Sequence, residues 1–330
     1  MKSAYKFAIK NLTRQKRRNA ILAIAIAFGF FVVTMIDALT SGMVGNLEDM
    51  VTSMTGGTVL IAGYEQIPPT QEGQKPALVE IVRDRDYIRN IVENNNIDYK
   101  YFSCFTQSAG QVVFNGKKSM TTVYGRDFSE GDFINSFQIL EGSLENLSDP
   151  YALIVSDKMA ESMNLAIGDQ LIYTTTTIYG QNNVADFTVA LITKSSSFLD
   201  SMQTYANIET VNKIVGIPEG GYTTFTIFLN DKNKQSIVAN KIEALIRADG
   251  VNVSSRELAL KTNPANPAKG LTKQFTDDGV TWEGVKYAVE TLNDAIPAIQ
   301  VALSVVHTVT TCILIVILLI VMVGVSNTYR

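Results

Sequence analysis

Two long apolar segments stand near the ends of the chain, at residues 20–36 and 301–325, with mixed polar sequence between them. Neither segment contains Asp, Glu, Lys or Arg. A helix needs about 20 mostly apolar residues to cross a hydrocarbon layer of about 30 Å. The pattern therefore predicts transmembrane helices over residues 20–40 and 298–325, with a large domain on one side of the membrane.

Each apolar segment also has a simpler interpretation. The first is preceded by basic residues, as a cleaved signal peptide is, and the second has a buried core helix as its alternative. A signal peptide has an apolar region of only about 7–15 residues and a cleavage site between small residues. Ile36, Asp37 and Ala38 fit such a site poorly. Length therefore favours membrane spans in both places.

The charges are distributed unevenly along the chain. Every acidic residue falls between Asp37 and Asp294, whereas only basic residues precede the first apolar segment: Lys2, Lys6, Lys10, Arg14, Lys16, Arg17 and Arg18. The positive-inside rule places the N-terminus and Arg330 in the cytoplasm and the middle of the chain outside. The net charge of −4 thus combines a basic cytoplasmic edge with an acidic outer domain, which argues against nucleic acid as a partner.

Helical spacing also appears outside the two apolar segments. In residues 1–19 it predicts a basic amphipathic helix on the cytoplasmic membrane surface, with an unstructured basic tail as the alternative. After the first span it predicts an outer stalk helix over residues 41–57, which Gly56 and Gly57 end. The apolar positions of this first stalk include Leu39, Met43, Leu47, Met50 and Met54.

A similar pattern leads back to the second span. Spacings of three and four predict a return stalk over residues 271–297. A heptad seam begins in it at Trp282, Val285, Val289, Leu292 and Ile296 and continues into the second span at Ile299, Leu303 and Val306. Two interpretations fit the seam. It is either one face of an ordinary buried helix, or the face on which the two stalks pack against each other or against a partner subunit.

Residues 58–270 mix strand and helix patterns, which indicates an extracytoplasmic α+β core domain. Asn115-Gly116 is a strong hairpin signal, and Ser156 is a good N-cap for a helix that carries Met159, Ala160 and Met163. A second helix closes at Gly250, residues 66–73 and 263–270 read as a loop and a linker, and Tyr87 to Val92 read as a short amphipathic helix. Strands are predicted at Thr58–Ile61, Gln111–Phe114, Lys118–Tyr124, Ala152–Val155, Gln170–Thr177, Asp186–Thr193 and Thr223–Leu229.

The chain offers little catalytic chemistry. Its one histidine, His307, lies in the second apolar segment, so a zinc site and a Ser-His-Asp triad in the outer domain are both excluded. His307 itself is either a neutral side chain bonded to a nearby Ser or Thr or an intramembrane functional group. Gly110–Lys118 lacks the spacing of a phosphate-binding loop, and Cys104 and Cys312 lie too far apart in the topology to pair. We expect no enzyme activity, metal or cofactor on this chain.

Two stretches carry a family resemblance. Val123–Gly142 contains a G-x-D-type strand that leads into Leu140-Glu141-Gly142-Ser143-Leu144, and Ala152–Leu171 contains a short helix and a turn at Gly168-Asp169. With the order of basic helix, span, stalk, α+β domain and return span, the chain resembles the permease subunits of type VII ABC transporters, the group with MacB, FtsX and the LolC/LolE lipoprotein-release permeases. The stalk Ser41–Met54 is most similar to the LolC/LolE branch.

The resemblance implies the fold and the function. The fold is two transmembrane helices with long extracytoplasmic stalks that bracket a periplasmic core domain of the MacB type. The function is that of a non-catalytic permease subunit in the cytoplasmic membrane, which transmits ATP-driven motion to its outer domain for lipoprotein release. Efflux of the MacB type, control of a hydrolase as in FtsX, and a membrane-anchored sensor of a different class are the alternatives.

The resemblance also implies partners. They are a dimer of P-loop ATPase subunits that carries ATP and Mg²⁺, a second permease copy or paralogue, membrane lipids and an envelope cargo. Gly324–Thr328 resembles the start of the cytoplasmic loop, so Asn327, Thr328, Tyr329 and Arg330 are expected to begin the ATPase contact (residues 326–330). Members of the family normally have four spans, so we expect this chain to be either a piece of a longer permease or one part of a divided permease.

Overall fold

The computed structural model describes residues 16, 20, 23–24, 27–40, 42, 57–68, 76–129, 133–195, 200–263, 266–276, 281–295, 305, 308–316, 319 and 322. The chain divides into two compact units. One comprises residues 50–295, and the other comprises residues 1–49 and 296–330.

A mixed sheet forms the framework of the unit at residues 50–295. The strands along its main path have the order β11-β1-β10-β3-β4-β9-β6-β8-β5, while β2 pairs with β1, and β7 pairs with β3 and β8. The strands are β1 Val59–Ile67, β2 Ala77–Glu80, β3 Tyr99–Phe114, β4 Lys117–Arg126, β5 Ile139–Gly142, β6 Ala152–Ser156, β7 Gln170–Thr176, β8 Asn182–Thr193, β9 Gln203–Asn207, β10 Thr224–Leu229 and β11 Lys286–Thr291.

Helices pack around this sheet. They are α1 Arg85–Asn94, α2 Asp157–Met163, α3 Ile208–Val215, α4 Gln235–Ala248, α5 Arg256–Thr262, α6 Pro267–Thr276 and the short α7 Leu292–Ala295. Their apolar faces are buried, as Ile88, Ile91 and Val92 are in α1. The unit therefore has the α+β class that the sequence predicts, and its sheet extends beyond residue 270 to Thr291.

Two large apolar cores lie along the sheet, with a third, smaller one at Ile154, Leu191 and Tyr205. The first core contains Ile61, Phe225 and Val289 together with α1 and α4 residues such as Ile88 and Ile242. The second contains residues of β4, β6, β7 and β8 together with α2 and α3. Strand β3 runs through both, since Cys104 belongs to the first core and Val112 to the second. Burial of such side chains supplies most of the favourable free energy of the fold.

Local sequence signals are confirmed where they were strongest. Asn115 and Gly116 take positive φ values of 48° and 79° between β3 and β4, as a two-residue hairpin turn requires. Ser156 is the N-cap of α2, because its Oγ accepts a hydrogen bond from the backbone N–H of Met159 at 3.1 Å. Strands β7 and β8 both form where strands are predicted, and they pair with each other in antiparallel register.

The predicted helical return stalk is wrong between Lys286 and Thr291. These residues form strand β11, which pairs with β1 over Val59–Tyr64. Spacings of three and four between Trp282, Val285 and Val289 fit a helix, but alternate residues such as Tyr287 and Val289 face the first core. As a strand, this segment also supplies hydrogen-bond partners to the backbone of β1, which a helix at the same place would leave unpaired.

Two segments that the sequence predicts to be irregular contain regular structure. Strand β1 continues to Ile67, into the predicted loop at residues 66–73. The predicted linker at residues 263–270 contains the start of α6, where Pro267 occupies the first helical position. Proline suits that position because its missing N–H has no partner within a helix there.

The other unit is described only in part. Residues 27–40 and 308–316 are helical, and Leu39 is exposed in the first of these helices. Among the residues that the structure describes, no helix is both long enough and apolar enough to span a membrane. The described residues do not include most of the predicted stalk (Met43, Leu47, Met50 and Met54), or Ile296, His307, Asn327, Thr328, Tyr329 and Arg330.

Candidate functional site

The strands at the two ends of the α+β unit lie side by side. The unit begins its sheet at Val59 in β1 and ends it at Thr291 in β11, and these two residues are register partners. Beyond the pair, the backbone N–H of Leu292 donates to the carbonyl of Thr58 at 2.9 Å. We call this region, Gly57–Val59 with Thr291–Asp294, the root of the domain. Both connections to the apolar segments therefore leave the sheet at one place.

Gly57 packs tightly at the root. A Cβ atom on this residue would lie 2.7 Å from the backbone nitrogen of Ile227 and 2.8 Å from its carbonyl oxygen. The next residue, Thr58, donates its backbone N–H to the same Ile227 carbonyl at 2.8 Å. The glycine predicted to end a stalk thus allows β10 to approach the root closely.

Asp294 closes the root on the outgoing side. Its Oδ2 accepts hydrogen bonds from the backbone N–H of Thr291 at 3.0 Å and from the Thr291 hydroxyl at 2.8 Å. Its own backbone N–H donates to the Thr291 Oγ1 at 3.3 Å. This reciprocal arrangement has the logic of a capping box, with Thr291 as the cap and Asp294 three residues later.

Asp294 also forms a buried ion pair with Arg256. The guanidinium Nε donates to Oδ2 at 2.6 Å and Nη2 donates to Oδ1 at 3.2 Å, and the two side chains are only 7% and 5% exposed. Bidentate Arg–carboxylate pairs hold both partners in a defined orientation. The outgoing end of the sheet is therefore fastened to α5, the helix that Arg256 begins.

The same guanidinium reaches α4. Its Nη1 donates to the Asn240 side-chain oxygen at 3.0 Å, and its Nη2 donates to the Ser236 hydroxyl at 3.2 Å. The backbone N–H of Arg256 donates to Glu243 at 3.0 Å, and Glu243 in turn accepts from Arg247 at 2.6 Å. A polar network thus joins the root to two helices.

Two carboxyl groups near β1 retain their protons to unusually high pH. Burial raises the pKa of Glu290 to about 7, and the negative charges of Asp294 and Glu80 act in the same direction. Burial likewise raises the pKa of Glu80 to about 7, although the Thr224 hydroxyl, which donates to it at 3.2 Å, opposes the shift. Both groups are partly protonated near neutral pH.

Trp282 holds the far end of the β1–β11 pair. Its indole N–H donates to the Tyr64 carbonyl at 3.2 Å, and its backbone N–H donates to the Gln66 side chain at 3.3 Å. The Lys286 ammonium lies 4.8 Å from the centre of the Trp282 ring and 5.0 Å from that of Phe275 in α6. Of the predicted seam, Trp282 thus contacts β1, and Leu292 forms part of the root.

The two family motifs meet on β8. Gly142 in β5 is the register partner of Leu191, and at its φ of +94° a Cβ atom would run into the carbonyl of Ala190. The turn at Gly168 and Asp169 exchanges two backbone hydrogen bonds with Val189, at 2.8 and 2.9 Å. These motifs, including Glu141 beside Gly142, are therefore packing features around β8 and lie in a different part of the sheet from the root.

The ion pair of the root was missed in the sequence. The Thr291-x-x-Asp294 spacing is a capping signal, which indicates that a helix begins after Thr291. The predicted helical seam through residues 282–306 is incompatible with a helix start at that position, so the signal was not used. Arg256 and Asp294 are separated by 38 residues, and no local pattern connects them. Within the part of the chain that the structure describes, no group of three His, Cys, Asp or Glu side chains is placed to hold a metal ion.

Comparison with known proteins identifies one matching family. The family described as MacB-like periplasmic core domain matches residues 20–245. No curated protein matches the chain.

Similar solved structures include the periplasmic region of MacB from Actinobacillus actinomycetemcomitans, at 12% identity and a TM-score of 0.39, with 60% of this chain and 86% of that chain covered. The extracellular domain of the ABC-type transporter YknZ from Gram-positive bacteria is 14% identical, with a TM-score of 0.38 and coverages of 58% and 96%. A domain of a protein described as a permease from Porphyromonas gingivalis is 12% identical, with a TM-score of 0.34 and coverages of 72% and 89%.

Proposed function

Because this chain belongs to the MacB-like periplasmic core domain family, within the type VII ABC permeases, we propose that it is a non-catalytic permease subunit that carries ATP-driven motion across the membrane. The observation that carries the proposal is the root. Its incoming and outgoing strands are hydrogen-bonded neighbours, and Asp294 fastens the outgoing end to Arg256. A displacement of the segment that precedes β1 or of the segment that follows β11 would therefore act on the same pair of strands.

The buried, bidentate ion pair between Arg256 and Asp294 is suited to the transmission of force. Breaking one partner of such a pair costs about 3–5 kcal/mol, because the other charge stays buried without compensation. The Arg256 guanidinium also bonds to Asn240 and Ser236, so a pull on Asp294 is shared with α4 as well as α5. Motion of the outgoing segment would then turn this side of the domain as one body.

The proposal places residues 20–40 and 298–325 in the cytoplasmic membrane, with the N-terminus inside and the large domain outside. The helix at residues 27–40 supports this arrangement, because it exposes large apolar side chains such as Phe28 (66%) and Phe31 (60%). The hydroxyl groups of Thr34 and Thr40 donate to the carbonyls of Phe30 and Ile36, at 2.7 and 2.8 Å. Such internal pairing suits polar side chains in hydrocarbon.

The family supports an ABC ATPase as a partner, and the further details of the assembly are part of the proposal. A dimer of P-loop ATPase subunits would bind and hydrolyse ATP with Mg²⁺, and residues 326–330 of this chain would begin the contact with it. A second copy of the permease or a paralogue would complete the transmembrane part. On this proposal the chain itself needs no cofactor and catalyses no reaction.

Lipoprotein release from the cytoplasmic membrane is the cargo function that we propose, since the stalk Ser41–Met54 resembles that of the LolC/LolE branch. Efflux of the MacB type, control of a cell-wall hydrolase and an anchored sensor predict different partners, so one experiment separates them. The full-length protein is extracted from membranes with its partners, and the proteins that accompany it are identified by mass spectrometry before and after ATP addition.

Recovery of an ATPase together with lipoproteins that leave on ATP addition supports the whole proposal. An ATPase without lipoproteins overturns the cargo and retains the permease, and the absence of any ATPase overturns both in favour of the sensor. The role of the root is tested by Asp294→Asn in the same assay. We expect ATP hydrolysis to continue while cargo release falls, whereas Glu257→Gln, which breaks an exposed pair with Lys261, leaves both unchanged.

A further inference from the structure

A cavity of about 390 Å³ lies between β2, β3 and β4. Its polar wall includes Glu80, Gln107, Thr122 and Tyr124, and its apolar wall includes Leu78 and Ile178. Small-molecule sites have volumes of about 300–1,000 Å³ and combine apolar walls with a few converging polar groups. The cavity fits that description and lies apart from the root and from the motif turns on β8.

The cavity is open to solvent on one side, where Gln107 is exposed, and it lies at a junction within the sheet. It lies beside the stretch of β3 between Cys104, in the first core, and Val112, in the second. Strand β10 ends its pairing with β3 at Phe105, and β7 begins its pairing at Gly110, so Gln107 lies in the interval between them. A ligand here would contact the place where the two halves of the sheet meet.

The electrostatics of Glu80 indicate what the ligand would carry. A carboxylate beside a cation has a lowered pKa, whereas burial raises the pKa of Glu80 to about 7. The Thr224 hydroxyl donates to its Oε1 at 3.2 Å, and the second oxygen can accept from a ligand. A cationic donor in the cavity would offset the desolvation cost of the buried, ionised carboxylate.

We propose that this cavity binds the ammonium group of a small alkylammonium compound, with Glu80 as its counter-charge. The Thr122 hydroxyl and the Gln107 side-chain oxygen accept further N–H bonds, and the Tyr124 ring offers a cation–π face. Leu78 and Ile178 cover the alkyl chain. This inference goes beyond the transport function and does not depend on it.

The probe is n-butylammonium, titrated into the full-length protein in detergent and followed by saturation-transfer NMR of the ligand. We expect saturable binding, with n-butanol, which has the same chain and no charge, binding at least tenfold more weakly. Loss of one charge-assisted hydrogen bond costs about 1.5–3 kcal/mol, or about 10- to 150-fold in affinity. Glu80→Gln is therefore expected to weaken n-butylammonium binding at least tenfold.

Glu80→Gln should preserve the fold, because glutamine imitates the protonated carboxyl that the native protein favours below neutral pH. Thr122→Val, which changes the other side of the cavity, is expected to weaken binding severalfold. Glu161→Gln, at an exposed residue of α2, is the matched control and should bind as the wild type does. The proposal is overturned if the wild type shows no saturable binding, if n-butanol binds equally well, or if Glu80→Gln binds n-butylammonium with unchanged affinity.

Discussion

Arg256 and Asp294 are joined by two hydrogen bonds, of 2.6 and 3.2 Å, at the point where the chain leaves the sheet. Asp294 simultaneously accepts from Thr291, the register partner of Val59. One carboxylate thus connects the last strand of the domain, its first strand and a helix. Removal of this carboxylate should therefore destabilise the domain far more than removal of an ion pair at its surface.

We predict that Asp294→Asn destabilises the domain by about 3–5 kcal/mol, because Arg256 stays buried without its counter-charge. Urea unfolding followed by the fluorescence of Trp282, the only tryptophan in the chain, measures the effect. The control is Glu257→Gln, whose exposed partner is Lys261, and its unfolding midpoint should not move. A midpoint for Asp294→Asn equal to that of this control would show that the ion pair contributes little.

A double-mutant cycle isolates the pair itself. If the two residues act together, Arg256→Met combined with Asp294→Asn should cost clearly less than the sum of the two single changes, with a coupling free energy of about 2 kcal/mol. Additive losses would mean that the two side chains act independently, and that the bonds of Asp294 to Thr291 dominate.

The two high-pKa carboxyls predict that the domain loses stability as the pH rises. Glu80 and Glu290 have pKa values of about 7 in the folded protein and a reference value of 4.5, so the native state binds protons more tightly than the unfolded state. Their stabilising contribution is complete below about pH 4.5 and is lost as the pH rises through about 7, by at most about 3 kcal/mol for each carboxyl. The negative charges of Asp294 and Glu80 add to the effect of burial on the pKa of Glu290, and both glutamates in turn help to raise the pKa of the nearby Tyr64.

Urea midpoints at about pH 5.5 and about pH 8 test this pH dependence. The wild type should be more stable at the lower pH, and Glu80→Gln should remove about half of the difference because its side chain cannot ionise. Since the charge of Glu80 also raises the pKa of Glu290, the residual transition of the variant should shift to lower pH. If the urea midpoint changes by the same amount between the two pH values in the wild type and in Glu80→Gln, the assignment of the pH dependence to Glu80 is contradicted.

Close packing at Gly57 yields a further prediction. Gly57→Ala places a methyl group within 3 Å of the Ile227 backbone, so β10 or the root must shift, at a cost of about 1–3 kcal/mol. Gly42→Ala is the matched control, because nothing lies within 4 Å of its Cβ position and alanine favours a helix. Hydrogen exchange of the β1 and β11 amides should accelerate only in the Gly57 variant; unchanged exchange there would mean that the root tolerates the methyl group.

Elements with a local signal could be predicted from the sequence, and those fixed by distant partners could not. The hairpin at Asn115-Gly116 and the helix capped by Ser156 each depend on a few adjacent residues, and both appear where they were expected. Strand β11 instead owes its conformation to β1, more than 200 residues earlier, as the pairing of Val59 with Thr291 shows. Its apolar spacing is compatible with a helix or a strand until the partner is known.

The candidate site follows the same division. Trp282 and Leu292 were singled out as members of a helical seam, and they do lie at the two ends of the β1–β11 pair, but through contacts that a helix would not make. Arg256 was not singled out, because a charged residue at the start of a short helix normally faces water. Only the folded chain shows that Asp294 lies within hydrogen-bonding distance of it.

The motif glycines allow a last prediction, which separates strain from steric exclusion. Gly142 and Gly168 have similar positive φ values, of 94° and 89°, but only Gly142 has atoms where a Cβ would stand. Gly168→Ala should therefore cost only the left-handed backbone penalty of about 1–2 kcal/mol, whereas Gly142→Ala must also displace the Ala190 carbonyl or the Leu191 side chain. We expect a clearly lower urea midpoint for the Gly142 variant, with the β5–β8 amides losing hydrogen-exchange protection first. If the two variants unfold at the same urea midpoint, the positive φ value alone accounts for the need for glycine at both positions, and the contact of Gly142 with β8 adds nothing to it.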